Sequence, residues 1–304
     1  MVNLATARGL NADFFKLQSA SALIVGGTSG IGQSIAFKIA QYTKKPLIVV
    51  SGRDEVRGQE TVDALKAINK EGSYSFEKCD MTKMKDTRLL ANKLAENHQS
   101  FNLLIISSGF LSMKPRTETE DGIDEKLAVN FFGRFNLINR MMPMLTSAAN
   151  QGQRVNVLSV FAAGEGRTLD LNDIGLTKNF SLASAASHGS NCNDLMVEEL
   201  SERNPNIAFY HAHPGIVNTN LVSTLPWYLR IASKPLLLLS KNPDDVADHL
   251  LSGLTGSNKT GGWGLLNSTG DPIKPTKFQT KEAREKVWKY STKVTEQEEK
   301  QNNA

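Results

Sequence analysis

Short apolar segments recur along the chain, separated by longer segments that mix apolar and polar residues. Predominantly apolar runs of this length are typical of strands buried on both faces of a sheet. They are residues 21–27, 46–51, 102–108, 154–159, 207–212 and 263–267. The intervening segments have helical periodicity, as where Ile31, Ile35 and Ile39 fall on one stripe. The alternation predicts an α/β fold, a doubly wound parallel sheet with helices on both faces.

The chain is not divided by any long segment rich in Gly, Ser or Pro, so we expect one domain over residues 1–304. An apolar insertion at about 220–242 precedes a predicted helix, for which Asn242 is the N-cap and Pro243 the first residue. The polar segment from about 293 to 304 is predicted to fray.

Composition narrows the function classes. The formal charge of +4 comes from scattered residues, which argues against nucleic-acid binding. Cys79 and Cys192 lack the paired spacing of a disulfide framework or a zinc site, and we expect no metal. No apolar run approaches the roughly 20 residues of a transmembrane helix, and the N-terminal residues lack the apolar core of a signal peptide. We therefore expect a cytoplasmic protein without a transmembrane segment.

A glycine-rich turn follows the first predicted strand. It leads into the predicted helix that has Ile31, Ile35 and Ile39 on one side. Gly26 lets the chain fold back, Gly30 lets a pyrophosphate approach the backbone, and Gly32 allows close packing of helix and strand. The helix N-terminus offers free N–H groups and a partial positive charge to phosphate. The turn predicts a dinucleotide site.

Further motifs extend this pattern. They are "CDMT" at 79–82, "IISSGF" at 105–110, "VNFFG" at 129–133, "VLSV" at 157–160 and "HPGIVNT" at 213–219. With the glycine turn, they resemble the motifs of the short-chain dehydrogenase/reductase family over about residues 20–290. Within that family, "HPGIV" and the late "EKVWKYSTKV" are most similar to the retinol-dehydrogenase-like branch and to reductases of fungal secondary metabolism. The resemblance implies a single Rossmann-type domain that is an oxidoreductase.

The resemblance also implies which residues hold the nicotinamide cofactor. They are Gly26, Thr28, Ser29, Gly30, Ile31, Gly32, Ser51, Arg53, Asp80, Ser107, Ser108, Gly109, Pro214, Gly215, Val217 and Thr219. Asp80 is expected against the adenine, and the 213–219 motif around the nicotinamide.

The end of the second predicted strand favours NADP over NAD. An acidic residue at this place binds the ribose 2′-hydroxyl of NAD, whereas a cation suits the 2′-phosphate of NADP. Ser51 and Arg53 fit the phosphate, and Gly52 brings no competing carboxylate. The nearby Asp54 leaves NAD as the alternative.

The family's proton donor has no counterpart here. Ser159 and Asn130 match the family's catalytic serine and asparagine, but no Tyr-x-x-x-Lys follows them. In one register Phe180 and Ser184 occupy the tyrosine and lysine positions. In the other, which we prefer because it leaves a longer connection over 169–179, Ala186 and Ser190 do. Losing a general acid typically costs about 10²–10⁴ in rate.

Substitutes for this acid can be named from the sequence. His188 and Tyr228 are the candidate catalytic residues, and His213 precedes the nicotinamide motif. The remaining charged candidates near the expected cleft, for which a solvated surface is the expected position, are Arg134, Asp170 and Asp173.

The insertion at 220–242 predicts the substrate. Its apolar and aromatic residues are Leu225, Trp227, Tyr228, Leu229 and Ile231. Such a wall suits a hydrophobic small molecule, although core packing or a dimer contact would use the same residues. We expect an NADP-dependent oxidoreductase acting on a carbonyl or alcohol. The alternatives are a non-redox isomerase, dehydratase or cyclase that retains NADP, and a non-catalytic NADP-binding protein. Pairing into a homo-oligomer is expected through helices around 119–145 and 181–203.

Overall fold

The sheet lies at the centre of the computed structural model, which describes residues 2–219, 240–256 and 260–302, with side chains to residue 296. The described strands lie in the order β3-β2-β1-β4-β5-β6-β7-β8. Their bounds are β1 Ser21–Val25, β2 Leu47–Gly52, β3 Ser73–Lys78, β4 Leu103–Ile106, β5 Val155–Val160, β6 Ile207–Ala212, β7 Gly262–Leu266 and β8 Pro272–Ile273. Strands β1 to β7 are parallel, and β8 runs antiparallel to β7. The predicted doubly wound parallel sheet is confirmed.

Two strands have no counterpart among the apolar runs. β3 lies at the edge of the sheet, and all of its residues are half-buried or exposed. An edge strand of this kind carries polar residues, so its sequence gives no continuous apolar signal. β8 has two residues and is too short to give any pattern.

The helices fall between the strands. Their bounds are α1 Leu4–Leu17, α2 Gly30–Tyr42, α3 Glu55–Ile68, α4 Met84–Asn97, α5 Glu125–Leu127, α6 Gly133–Asn150, α7 Leu182–Arg203, α8 Pro243–Thr255 and α9 Lys281–Asn302. A π-helical turn, Ala128–Phe132, joins α5 to α6. The predicted start of α8 is confirmed, because Oδ1 of Asn242 accepts a hydrogen bond from the backbone N–H of Asp244 at 2.9 Å.

Apolar residues on both faces of the sheet are buried under helices. Ile24 and Ile48 pack in the core that includes α2 and α8, whereas Leu23 and Val49 pack in the core that includes α4, α6 and α7. Successive residues of one strand point to opposite faces and so enter different cores. This is why the runs in the sequence are continuous rather than alternating.

The N-terminal helix α1, which the sequence did not predict, packs on α8. Asp248 of α8 is fully buried and pairs with Arg8 of α1 at 2.8 Å and with Lys38 of α2 at 3.2 Å. The Tyr42 hydroxyl also donates to Asp248, at 2.6 Å. One carboxylate therefore joins three helices.

The C-terminal helix α9 lies against α6 and α7. Ala283 and Val287 are buried in the core, and the Trp288 ring lies 5.0 Å from the Phe135 ring, centroid to centroid. The prediction that the chain frays from about residue 293 is wrong at its start. Residues 293–302 continue the helix, and Val294 still packs against the core.

Candidate cofactor groove and active site

The carboxyl ends of β1 and β4 form the point where the strand order reverses. β1 lies between β2 and β4, so the connections from β1 and from β4 lead to opposite faces of the sheet. Such a switch point opens a crevice at the edge of an α/β sheet, and ligands of this architecture bind there. The three motifs that carry most of the predicted cofactor residues lie at this edge of the sheet.

The glycine turn packs too tightly for any side chain. Gly26 has φ +78°, and a Cβ atom there would lie 2.5 Å from the backbone nitrogen of Ser108. A Cβ atom on Gly32 would lie 2.3 Å from the carbonyl oxygen of Gly26. The turn after β1 and the segment after β4 are therefore in backbone contact, and Ser107 joins them by donating its N–H to the Val25 carbonyl at 2.8 Å.

The 213–219 segment closes the other side of the turn. Gly30 has φ +56°, and a Cβ atom there would lie 3.0 Å from Cγ2 of Thr219. Val217 forms a parallel bridge with Lys241, which holds the segment at the sheet edge next to Pro214 and Gly215. The structure thus brings together three motifs that are far apart in the sequence.

The N-terminus of α2 is free to receive an anion. Ser29 is its N-cap residue, yet the Ser29 hydroxyl makes no capping hydrogen bond, and the first turn contains no acidic residue. The N–H groups of that turn carry partial positive charge and need acceptors. Together with the Gly26 and Gly30 clearances, this end of α2 fits a dinucleotide diphosphate.

The end of β2 holds one exposed cation beside the groove. The Arg53 guanidinium lies 6.0 Å from the centroid of the Phe110 ring, which follows Gly109. Asp54 instead caps α3, because its Oδ1 accepts from the Arg57 N–H at 3.1 Å. The Asp54 carboxylate, for which the sequence kept NAD as an alternative, thus caps a helix. The Arg53 guanidinium is exposed beside the groove.

The expectation for Ser51 needs correction. Its side chain is fully buried, and its hydroxyl has no partner among the described residues. A buried hydroxyl is not placed to contact a 2′-phosphate in the groove, whereas the Arg53 side chain is exposed. Asp80 lies half-buried after β3, where its Oδ1 accepts from the N–H and hydroxyl of Thr82 at 3.0 and 2.8 Å. Thr28 packs beside Gly52, at the same end of the groove.

Ser159, at the end of β5, is fully buried, and its hydroxyl makes two hydrogen bonds. Its Oγ accepts from Nη1 of Arg134 at 2.7 Å, and its hydroxyl donates to Oδ1 of Asn193 at 2.8 Å. Asn193 in turn donates to the carbonyl oxygen of Asn130 at 2.7 Å. The expectation that Ser159 is a catalytic serine therefore needs correction, because its side chain is fully buried and its only O–H proton is already donated to Asn193.

Arg134 is the centre of this network. Its guanidinium is 1% exposed, which corrects the expectation of a solvated surface position. Besides Ser159, its acceptors are the carbonyl oxygens of Ile106, Ser108, Val129 and Val160. Its Cζ lies 5.6 Å from the centroid of the Phe161 ring. Burial lowers the pKa of Arg134 to about 9, so the side chain is a cation at neutral pH.

Comparison with known proteins identifies the family of this chain. The family model for short chain dehydrogenase matches residues 20–169. Polyprenol dehydrogenase of Mus musculus is 30% identical over 232 residues, which cover 74% of this chain and 68% of that protein. The chain belongs to the short-chain dehydrogenase/reductase family.

Other members of the short-chain dehydrogenase/reductase family are similarly related. Oxidoreductase AN1596 of Emericella nidulans is 31% identical over 221 residues, which cover 73% of this chain but 65% of that protein, just under two thirds. The solved alcohol dehydrogenase of the archaeon Thermococcus sibiricus, complexed with 5-hydroxy-NADP, shares the fold with a TM-score of 0.61 and 17% identity. That match covers 85% of this chain and 100% of the other.

Against the family pattern, the positions of the missing tyrosine and lysine hold no acid. Ala186 is exposed on α7, and the Ser190 hydroxyl bonds to the Ala162 carbonyl. In the other register, Phe180 precedes α7, and Ser184 belongs to a capping box with Ser181. Neither pair offers a phenol or an ammonium group in place of the family's tyrosine and lysine.

His188 lies on α7 with both ring nitrogens engaged. Its Nε2 accepts from the Asp170 N–H at 3.0 Å, and its Nδ1 lies 3.2 Å from the Ile174 carbonyl oxygen. Burial lowers the pKa of His188, and the ring is 1% exposed. This geometry contradicts a proton-donating role, so we assign His188 to holding the connection between β5 and α7. Asp173 caps the same connection, where its Oδ2 accepts from the N–H groups of Lys178 and Asn179.

The predicted substrate wall and Tyr228 lie outside the described residues. No helix in the described part of the chain is long and apolar enough to cross a membrane. The same residues contain no group of three His, Cys, Asp or Glu side chains arranged to hold a metal ion.

Sequence reasoning missed the parts that Arg134 and Asn193 play. Arg134 lies four residues after Asn130, which is a helical spacing, but nothing in the sequence showed that the helix side bearing it faces the sheet. Asn193 stands in the run "SHGSNCND", where polar residues occupy nearly every position of one helix and are buried. A polar run without Lys or Arg inside a predicted helix was the available signal for a buried hydrogen-bond network.

Proposed function

We propose that this chain binds NADP in the groove and acts as an oxidoreductase on a carbonyl or alcohol of a hydrophobic small molecule. The observation that carries the proposal is the convergence of three loops on one crevice, with Gly26 against Ser108 and Gly30 against Thr219. A bound nicotinamide would supply or accept the hydride. The free N-terminus of α2 would hold the diphosphate.

The choice of NADP is supported by charge. Arg53 is the exposed cation beside the groove, and Asp54 is bonded to the N-terminus of α3. A hydrophobic substrate is supported by the apolar residues of 220–242 and by the names of relatives, which include polyprenol dehydrogenase and retinol dehydrogenase 12.

No tyrosine stands at the family's proton-donor position, so we expect the proton to come from another group. Tyr228 remains our candidate from the insertion. His213 is half-buried at the start of the 213–219 segment and is the second candidate. The remaining predicted residue, Asn130, is half-buried in the π-helical turn, and its Oδ1 lies near Gly109.

Cofactor choice is tested by measuring the dissociation constants of NADPH and NADH by calorimetry. We expect Arg53→Ala to weaken NADPH binding by about 10- to 100-fold, the range of a charge-assisted contact to phosphate, and to leave NADH binding unchanged. Arg57→Ala is the matched control, because Arg57 is an exposed arginine on the same helix start and pairs with Asp54. Equal losses for both dinucleotides in Arg53→Ala would remove the 2′-phosphate assignment.

A second function is favoured by the burial of Ser159. A family member without an accessible serine, and without the tyrosine and lysine, could retain NADP while performing an isomerisation, dehydration or ring closure. A shaped apolar pocket can contribute much of such a barrier through proximity. The absorbance of the reduced nicotinamide, followed with a panel of long-chain aldehydes, ketones and alcohols, separates the possibilities. Its decay or growth supports redox chemistry, product without a change supports the second function, and binding without product supports a non-catalytic role.

A further inference from the structure

Arg134 is a buried cation without a counter-charge. Within the described part of the chain no carboxylate pairs with it, and burial lowers its pKa. Its partners are four carbonyl oxygens and one hydroxyl. Placing an unpaired guanidinium in the interior is costly, and carbonyl dipoles offset that cost only in part.

The position of this charge relative to the groove follows from Ser108. The Ser108 carbonyl oxygen accepts from Nη2 of Arg134 at 2.6 Å, while its nitrogen touches the glycine turn at Gly26. Ser108 therefore lies between the Arg134 guanidinium and the glycine turn of the proposed cofactor groove. The bond to Ser159 places the same guanidinium beneath the ends of β4 and β5.

The two arginines of the site mark opposite ends of the groove. Arg53 follows β2, whereas Arg134 lies beneath β4 and β5, and β1 stands between them in the sheet order. Neighbouring strands are about 4.8 Å apart, so the separation along the sheet edge is on the order of 12 Å. A dinucleotide with its 2′-phosphate at Arg53 and its diphosphate at the start of α2 would have its nicotinamide on the side of β4 and β5, where Arg134 lies.

We propose that Arg134 is a positioning residue that makes the groove favour the reduced nicotinamide over the oxidised one. The inference rests on the proposed function, because it needs a nicotinamide dinucleotide in the groove. The oxidised ring carries one positive charge that the reduced ring lacks. For a ring about 8 Å from the guanidinium and an effective dielectric constant of about 20–30, the charged form would be disfavoured by roughly ten- to thirtyfold in affinity.

The measurement is the ratio of the dissociation constants of NADP⁺ and NADPH for the full chain, by calorimetry or quenching of tryptophan fluorescence. We expect the wild type to bind NADPH at least about tenfold more tightly. Arg134→Lys keeps the charge and should keep most of this ratio. Arg134→Met removes the charge and should bring the ratio close to one.

The ratio of the NADP⁺ and NADPH dissociation constants distinguishes an electrostatic role of Arg134 from a purely structural one. Loss of the Ser108 and Ser159 hydrogen bonds distorts the groove for both dinucleotides, so a merely structural role weakens both in proportion and leaves the ratio unchanged. If Arg134→Met does not fold, Arg134→Gln replaces it, because its amide can still donate to the Ser108 carbonyl.

Each outcome decides between the two claims. A wild-type ratio near one overturns the inference and leaves the proposed function standing, whether or not the neutral variants fold. A neutral variant that keeps the wild-type ratio also overturns it. Failure of the wild type to bind either dinucleotide removes the proposed function itself.

Discussion

Arg134 and Ser159 are joined by a 2.7 Å hydrogen bond inside the protein, and neither side chain is accessible to a ligand. The family resemblance assigns Ser159 to substrate contact. Here the serine belongs instead to a bonded unit with Asn193 that fastens β5 to α6 and α7. The Ser159 side chain is thus part of the interior of the protein.

Ser159→Ala should therefore affect stability more than chemistry. The change leaves Oδ1 of Asn193 without its donor and removes the shortest of the three hydrogen bonds of Arg134 Nη1, which costs about 1–3 kcal/mol in the free energy of unfolding. Urea denaturation measures this cost, and calorimetry should show NADPH affinity within about twofold of the wild type. Ser252→Ala on α8 is the control, because that buried hydroxyl bonds to His249 on the other face of the sheet. A fall of a hundredfold or more in kcat at unchanged stability would restore Ser159 to a direct role.

Gly30→Ala should abolish cofactor binding through a local clash. Both Gly30 and Gly122 have positive φ, +56° and +71°, so alanine at either position costs on the order of 1 kcal/mol in backbone strain. Only at Gly30 does the new Cβ atom meet a neighbour, Thr219, at 3.0 Å. Calorimetry with NADPH should show weak or no binding to Gly30→Ala and normal binding to Gly122→Ala. Equal affinities would place the cofactor elsewhere.

Asp248→Asn should loosen α1 from the rest of the fold. The buried carboxylate receives hydrogen bonds from Arg8 and Tyr42 and pairs with Lys38, and hydrogen bonds to a charged group contribute about 1.5–3 kcal/mol each. We expect a loss of roughly 2–4 kcal/mol in the free energy of unfolding by urea denaturation. Asp245→Asn breaks an exposed pair with the same Arg8 and should cost less than about 1 kcal/mol. Similar losses in the two variants would contradict this account.

Stability should fall as the pH is lowered from neutral through about 6. Burial lowers the pKa of both His188 and His211 in the folded chain, although Asp194 acts in the opposite direction on His211. The unfolded chain, with a histidine pKa of about 6.5, then binds more protons than the folded chain, so stability is present above that value and lost below it. Denaturation midpoints across this range measure the slope. His188→Asn should lower stability at neutral pH and flatten the slope, and an unaltered slope would exclude His188 as a contributor.

Pairing through α6 and α7 should not occur, because α9 of the same chain covers that face. Arg203 of α7 lies 4.1 Å from the centroid of the Trp288 ring, and Arg284 bonds to Glu198 at 2.7 Å. Light scattering should give a monomer, or an oligomer formed through another surface. Trp288→Ala should cost about 2–3 kcal/mol and promote self-association by uncovering apolar residues of α6. A dimer that is cross-linked between α7 helices would show that the face is free.

Several features could be predicted because they depend on neighbouring residues. The strands covered on both faces, the N-cap Asn242 and the glycine turn each carry their signal within a few positions of the chain. β3 could not be found as an apolar run, because an edge strand is exposed to solvent. The helix α1 was missed because what holds it, the contact of Arg8 with Asp248, spans 240 positions.

The surroundings of individual side chains were predicted less well than the helices and strands that carry them. Ser51 and Ser159 both stand at strand ends that reach the groove, but alternation along a strand decides which face each enters, and both enter the interior. His188 was placed on the right helix, yet the connection 162–180 folds back onto it and takes both ring nitrogens.

By itself, the sequence determined the α/β layering, the glycine turn after β1 and the absence of Tyr-x-x-x-Lys, because periodicity, glycine spacing and short motifs are local properties. Only the tertiary structure decided that the serine at the end of β5 is sealed by a buried arginine and an asparagine from two other helices. Hydrogen bonds and burial depend on which distant segments meet, and Arg134, Ser159 and Asn193 meet only when α6 and α7 pack on the sheet.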